Sequence, residues 1–306
     1  MSGQGAGSSM GPAPNGEASV PAVIGSFAAM VDLRAEGEDV FVGPPSPDRG
    51  SRTYGGQLLA QSLGAAQRTV PGDRAVHSTH SYFLKAGDAA AATELRVGRV
   101  RDGRSFSQRQ VVALQDGAEV MRSLISFHVP EEGLEWEEPI TIDVDPPTSE
   151  QPYTDYSSVI EAALPAHERP WPGRGRPMDV SYVNPPTPQE GQPVTEPQLM
   201  WMRVHGPLGG DRALHDAGIA YLADLGMNPV ILLPHGYSWR DDRVTEASLD
   251  HTIWFHRPAR ADEWLYYDQR VESTSGGRGL ASGRFYDFDG HLVATCMQEG
   301  LMRWNG

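Results

Sequence analysis

The sequence predicts two α+β units in one polypeptide, each an antiparallel sheet wrapped around its own helix. Three observations carry this. The chain has 306 residues, near the length at which one hydrophobic core stops growing and a second domain becomes the better expectation. Two blocks repeat the same order of elements, a helical stretch followed by several β-type segments. Each block also closes on an Asp-Gly pair flanked by alternating residues: Asp116-Gly117 and Asp289-Gly290 lie 173 positions apart, and Phe83 and Phe255 lie 172 apart. Asp-Gly favours a two-residue hairpin, because both central positions of a type I′ turn need positive φ.

Taken in order, residues 1–22 are rich in Gly, Ser and Pro and poor in large apolar side chains, so they read as a disordered tail. The first unit spans 23–135. Its helix lies in TYGGQLLAQSLGAAQRTV, with Leu59, Leu63, Ala66 and Val70 at helical spacing and Gly72 beyond the end. The segments HSTHSYFL and ELRVGRVR follow as strands, then the hairpin VVALQDGAEVMRSLISF. Residues 136–197 are Pro-rich and read as an ordered, wandering connector with one short helix in SSVIEAALPAHE. The second unit spans 198–306, with a helix in HDAGIAYLADLG, strands in SLDHTIWFH and WLYYDQRVE, and the hairpin GRFYDFDGHLVATCMQ.

Composition narrows the function. With 39% hydrophobic and 21% charged residues the chain is an ordinary globular protein. Its net charge of −15 disfavours nucleic acid and anionic membrane as partners, since no run of Lys and Arg offsets it. Cys296 has no partner for an internal disulfide, and neither a secretory h-region nor an apolar spanning stretch stands out, so a cytoplasmic location is expected. HExxH, Walker A and dinucleotide fingerprints are absent. The pattern Gly7-Ser8-Ser9-Met10-Gly11 lacks the strand and helix that a nucleophile elbow needs. His77 and His80, three apart on a strand, face opposite ways and suit a structural or substrate-lining role better than a shared metal. We expect no metal and no cofactor.

Several motifs in order, YGGQLLAQSLGAA, VHSTHSYFLKAGD, RDGRSFSQRQVVALQDG, YLADLG, LPHG, LDHTIWFHRP and MQEGLMR, resemble the acyl-CoA thioesterase II family over about residues 30–135 and 198–304. The resemblance implies a double-hotdog fold, an acyl-CoA substrate, and a catalytic water held by an Asp, a Thr or Ser, and a Gln. Those positions are Asp224, Ser248 and Gln298. Ser248 keeps the hydroxyl but not the stiffer rotamer of the Thr found in many members.

The chemistry suits these residue types. Thioester hydrolysis needs an activated water and donors aimed at the developing oxyanion. Asp224 can accept the proton, Ser248 and Gln298 can orient the water, and Gly55-Gly56-Gln57, at the start of the first helix, is the leading oxyanion candidate. Periodicity alone sets Asp224 opposite the Ile219, Leu222 and Gly226 stripe, which suits a solvated acid; in a double hotdog that face turns toward the other half. Alternation puts Ser248 on a strand face with Asp250, Thr252 and Trp254, and Gln298 on one with Ala294 and Cys296. Asp250-His251 would serve an enoyl-CoA hydratase, but adjacent strand residues face apart, and a non-catalytic acyl-CoA binder is the other alternative. Cys296 reads as a buried small hydrophobe. Arg52, Lys85, Arg104 and Arg257 are candidate phosphate partners or surface cations. Exposed sheet edges lead us to expect a homo-oligomer.

Overall fold

The computed structural model describes residues 26–46, 52–148, 177–184, 192–237 and 241–305. The tail at 1–22 and the helix read in SSVIEAALPAHE lie outside these residues. The first half comprises helix α1 (Phe27–Met30), strands β1 (Arg34–Gly37) and β2 (Val40–Gly43), helix α2 (Gly55–Gln67), and strands β3 (Ala75–Phe83), β4 (Thr93–Asp102), β5 (Phe106–Gln115) and β6 (Ala118–His128). The second comprises strands β7 (Met178–Tyr182) and β8 (Gln198–Val204), helices α3 (Arg212–Ala223) and α4 (Met227–Val230), and strands β9 (Val244–Ser248), β10 (Asp250–Phe255), β11 (Leu265–Ser275), β12 (Arg278–Tyr286) and β13 (Leu292–Trp304).

The strands form a continuous antiparallel sheet in the order β1-β2-β4-β5-β6-β3-β10-β13-β12-β11-β8-β7, with β9 on β13. Read from its middle, the order repeats outward in both directions. The central pair β3 and β10 sets His80 opposite Thr252, positions 172 apart like Phe83 and Phe255. An internal pseudo-twofold axis therefore passes between His80 and Thr252. Each half wraps its sheet around one helix, and α2 and α3 pack against each other across the axis. Leu58, Leu63, Leu95 and Ile125 of the first half share one buried core with Ile219, Leu222, Ile253 and Phe285 of the second. This is the double-hotdog arrangement.

Local structure follows from residue type, with two departures. Asp116 and Gly117 have φ of 48° and 75°, as a type I′ turn demands. Asp289-Gly290 does not form such a turn: only Gly290 has positive φ, and its N–H donates to the Asp287 carbonyl within a longer loop. The stretch read as connector also supplies structure to the second half. Its residues Met178–Tyr182 are the edge strand β7, while Ile140 and Ile142 cover Trp201, Tyr266 and Tyr286 on the second sheet. The residues Arg212–His235 are long and apolar enough to cross a membrane by composition, but they are mostly buried in this core and broken by the left-handed Gly226.

Candidate functional site

Helix α2 starts without a capping side chain of its own. Its N-cap is Tyr54, which makes no side-chain cap bond, where Ser, Thr, Asp or Asn would normally accept from the second or third helical N–H. The acceptor comes from the other half. Asp224, the C-cap of α3, takes the Gly56 N–H on Oδ2 at 2.9 Å. Only glycine permits this approach: a Cβ on Gly55 would lie 2.8 Å from Asp224 Oδ2, and one on Gly56 would lie 2.4 Å from the Tyr221 carbonyl. The Tyr54 hydroxyl donates to the same carbonyl at 3.0 Å and fixes the two helices in register.

Gln298, on β13, comes to the same place from the sheet. Its Nε2 donates to Ser248 Oγ at 3.1 Å and to Asn228 Oδ1 at 3.1 Å, and Asn228 Nδ2 donates to Ser248 Oγ at 3.0 Å. Asp224 Oδ1 and Gln298 Oε1 are both buried and have no hydrogen-bond partner among the described residues. Burial pushes the Asp224 carboxyl up to about 6, against the opposing pull of the Gly56 N–H and the Gln298 amide. The surface acid that helical periodicity alone would give is therefore not what stands here; the face opposite the stripe turns toward the other half, and its carboxyl is enclosed.

The alternation expected for Ser248 breaks. Gly300 pairs with Ser248 and Met297 with Thr252, so the 248–252 strand carries one residue more than its partner. Such a bulge turns successive side chains to the other face. Ser248 consequently points inward with Gln298, away from the face of Asp250, Thr252 and Trp254. Gln298 keeps the face expected for it, with Ala294 and Cys296 buried beside it.

The remaining candidates sort by position. Gln57 lies on α2, but its N–H donates to the Tyr54 carbonyl and its side chain engages Ser46 and Pro44. His77 accepts or donates to Ser126 Oγ at 2.7 Å and packs edge-on against Phe106 and His128. It stands six residues from Phe83, whose ring a Cβ on Gly55 would meet at 3.0 Å. That is about 20 Å along a strand, so His77 is at the far end of the β3–β10 seam from Asp224. Asp250 accepts the Glu299 N–H at 2.8 Å on the outer face, whereas His251 is fully buried on the inner one. Burial lowers His251 to about 4 and keeps it neutral, so the two do not form an acid–base pair. The Cys296 thiol is buried against the Tyr267 hydroxyl and pushed up to about 12 by burial, as an inert core residue would be.

Among the candidate cations, Arg257 is held by Glu137 at 3.0 Å and by the Leu292 carbonyl. Arg52 and Lys85 are exposed and flank the segments that lead to Gly55 and from Phe83, which the Thr53 N–H to Gly87 carbonyl bond ties together. Sequence reasoning missed Asn228 and Phe83. Neither lay in a motif whose chemistry demanded it, and the MNP turn that carries Asn228 offers no spacing signal.

Residues 43–128 match the family model of the acyl-CoA thioesterase N-terminal domain and 158–302 that of the acyl-CoA thioesterase C-terminal domain. Acyl-coenzyme A thioesterase 8 of Mus musculus is 33% identical over 98% of this chain and 96% of its own length. Acyl-CoA thioesterase 2 of Haemophilus influenzae is 32% identical over 88% and 94%. The crystal structure of an acyl-CoA thioesterase II from Mycobacterium marinum superposes with a TM-score of 0.70 at 33% identity, covering 91% of this chain and 97% of that one. The shared architecture, the two matched domains and the near full-length identity place this chain in the acyl-CoA thioesterase family, with its double-hotdog fold.

Proposed function

We propose that this chain hydrolyses acyl-CoA to a free carboxylic acid and CoA, using a water activated by Asp224 and oriented by Ser248 and Gln298. The observation that carries this reading is the meeting of a carboxylate, a hydroxyl and an amide from three separate elements, with Asp224 Oδ1 and Gln298 Oε1 left unpartnered among the described residues. Buried acceptors of this kind are costly unless a further donor satisfies them, and a water donating to both would lie between them. Asp224, with a pKa of about 6, is ionised at neutral pH and still close enough in basicity to take a proton in the transition state.

In this mechanism water attacks the thioester carbon as its proton passes to Asp224, the carbonyl π pair moves onto oxygen, and collapse of the tetrahedral species breaks the C–S bond, the departing thiolate taking the proton from Asp224 to leave CoA as the free thiol and the carboxylate ionised. The Gly56 N–H is engaged in holding the carboxylate. We therefore assign the oxyanion to the N-terminal end of α2 at Gly55, where the helix dipole favours negative charge. Arg52 and Lys85, at the same end, are the cations suited to the CoA phosphates; removing both should raise KM about tenfold and leave kcat near its original value, and an unchanged KM would count against them.

The test is release of free thiol from a series of acyl-CoA substrates by the wild type and by Asp224→Asn. The asparagine still has a carbonyl oxygen to accept the Gly56 N–H, so the fold is retained while the base is lost. We expect kcat to fall by about 10²–10⁴. Equal rates in the two proteins would remove Asp224 from the mechanism.

A further inference from the structure

Strand β9 carries a second acid beside the proposed water site. Glu246 is two residues before Ser248 and therefore shares its inward face, about 6–7 Å along the strand. Across the ladder it pairs with Met302, as Ser248 pairs with Gly300. The corner is apolar. Val244 and Met302 pack against the main core, α4 packs on β9, and Ile231 at the end of α4 reaches Gly300 and Gly279 of the neighbouring strands. Its far side is closed by Tyr237 and Trp304, whose ring centroids are 5.0 Å apart, with the Arg243 guanidinium over both.

Into this corner Glu246 brings an oxygen, Oε2, that is buried and has no hydrogen-bond partner among the described residues. Burial pushes the carboxyl up to about 7. A neutral carboxyl is a hydrogen-bond donor as well as an acceptor. A corner built only to receive a hydrocarbon gains nothing from such a group, because an unpaired buried polar group costs about 1–3 kcal/mol.

We propose that Glu246 is a specificity-determining residue, and that the acyl groups this enzyme prefers carry a hydroxyl or carbonyl oxygen several carbons beyond the thioester. The proposal rests on the reading of Asp224, Ser248 and Gln298 as the reaction centre, because it takes the apolar corner adjoining Ser248 as the acyl pocket. The carboxyl O–H then donates to a carbonyl oxygen, or donates to and accepts from a hydroxyl, and the apolar walls accept the rest of the chain. Discrimination arises because a plain alkyl chain leaves Glu246 unpaired, and sites that bind a substrate hydroxyl reject analogues lacking it more strongly than apolar pockets reject a missing methylene.

The experiment uses the full chain as wild type, Glu246→Gln and Glu246→Leu. Thiol release gives kcat/KM for octanoyl-CoA and for hydroxyoctanoyl-CoA isomers with the hydroxyl near the thioester, midway along the chain, or at its end. We expect the wild type to favour one of the more distant hydroxyl isomers over octanoyl-CoA by at least about tenfold. Glu246→Gln, which keeps a neutral donor and acceptor, should retain most of that ratio. Glu246→Leu should bring it to about one and raise the rate with octanoyl-CoA, with a Tm no lower than wild type because a buried acid has been removed. A wild type that prefers octanoyl-CoA to every isomer, or a leucine variant with the wild-type ratio, overturns the proposal. If no substrate releases thiol, the assigned reaction fails, and calorimetric Kd values for the same ligands decide Glu246 independently: equal discrimination by wild type and Glu246→Leu sinks it, and loss in the leucine variant supports it.

Discussion

Asp224 does two things at once, and they pull its proton affinity in opposite directions. It caps α2 from the other half through Gly56, which favours the anion, while burial favours the acid and prevails, giving about 6. If it is the base, kcat/KM should rise with pH through about 6 and level off above, following the ionised fraction; a profile flat from pH 5 to 8 in the wild type would refute this. The same shift has an energetic sign. Between the unfolded value of 3.8 and about 6 the folded chain holds a proton that the unfolded chain has released. Asp224 therefore lowers stability as pH rises through that window, and Asp224→Asn should lessen the loss in a urea titration run at pH 4 and 7. Asn228 is the residue whose role the sequence concealed. It bonds both Ser248 and Gln298, so Asn228→Ala should lower kcat about tenfold by loosening their orientation, with KM nearly unchanged; a rise in KM at constant kcat would assign it to binding instead. Motif resemblance singled out Asp224, Ser248 and Gln298 as candidates, but their environment was not legible. A carboxylate at a helix end looks alike in sequence whether water or a second helix covers it.

At the scale of elements, the site depends on a bulge and on a pair of glycines. The extra residue between Ser248 and Thr252 turns the hydroxyl inward, which simple alternation could not anticipate, because a bulge leaves no mark on hydrophobic periodicity when both faces are partly covered. The two long helices α2 and α3 and most strands were legible from spacing and from the Asp-Gly turn at 116–117, whereas the four-residue helices α1 and α4 were not. The loop at 287–291 was not, since one Asp-Gly pair fits several loop lengths and only flanking pairing decides among them. Gly279 and Gly300 are paired neighbours on β12 and β13. A Cβ on Gly300 would lie 2.4 Å from Asn228 Oδ1, whereas one on Gly279 would lie 2.8 Å from the Ile231 Cβ and meets no atom of the water site among its nearest neighbours. Gly300→Ala should therefore displace the Asn228 amide and cut kcat about tenfold or more. Gly279→Ala should cost about 1–3 kcal/mol through overpacking and keep kcat within about twofold. Comparing kcat with urea midpoints separates the two, and equal activity losses in both would show that general loosening, not Asn228, is responsible.

For the whole molecule, the pseudo-twofold axis makes two corners of the sheet equivalent, and only one of them carries the polar cluster proposed as the reaction centre. Both halves carry the same bulge, at His77 in β3 and after Ser248 in the second half. Following the pairing of β3 with β6 and of β10 with β13, the counterpart of Ser248 is Val76 and that of Gln298 is Ile125. The C-cap of α2, matching Asp224 on α3, is Arg68. The second corner thus lacks the hydroxyl, the amide and the carboxylate together, and its C-cap residue Arg68 turns an exposed guanidinium to the Leu33 carbonyl. The repeat itself was legible in the 172 to 173 offset, but this asymmetry required strand registers, because loop lengths between helix and strand differ between the halves. The central β3–β10 ladder and the shared core also join the halves mechanically, so calorimetry should show one unfolding transition in which the two halves melt together. On the proposed reading, in which the thioester sits at Gly55, Gly56 and the polar cluster behind them, each chain should bind a non-hydrolysable acyl-CoA thioether with a stoichiometry of one. At the other end α3 begins with Asp211 as its own cap, its side chain accepting from Ala213, and this carboxylate repels a developing oxyanion. Isothermal titration giving two equivalent sites per chain would contradict the asymmetry. One site in the wild type, lost from turnover but not from binding in Asp224→Asn, would place recognition and chemistry together at the corner where the two helices meet.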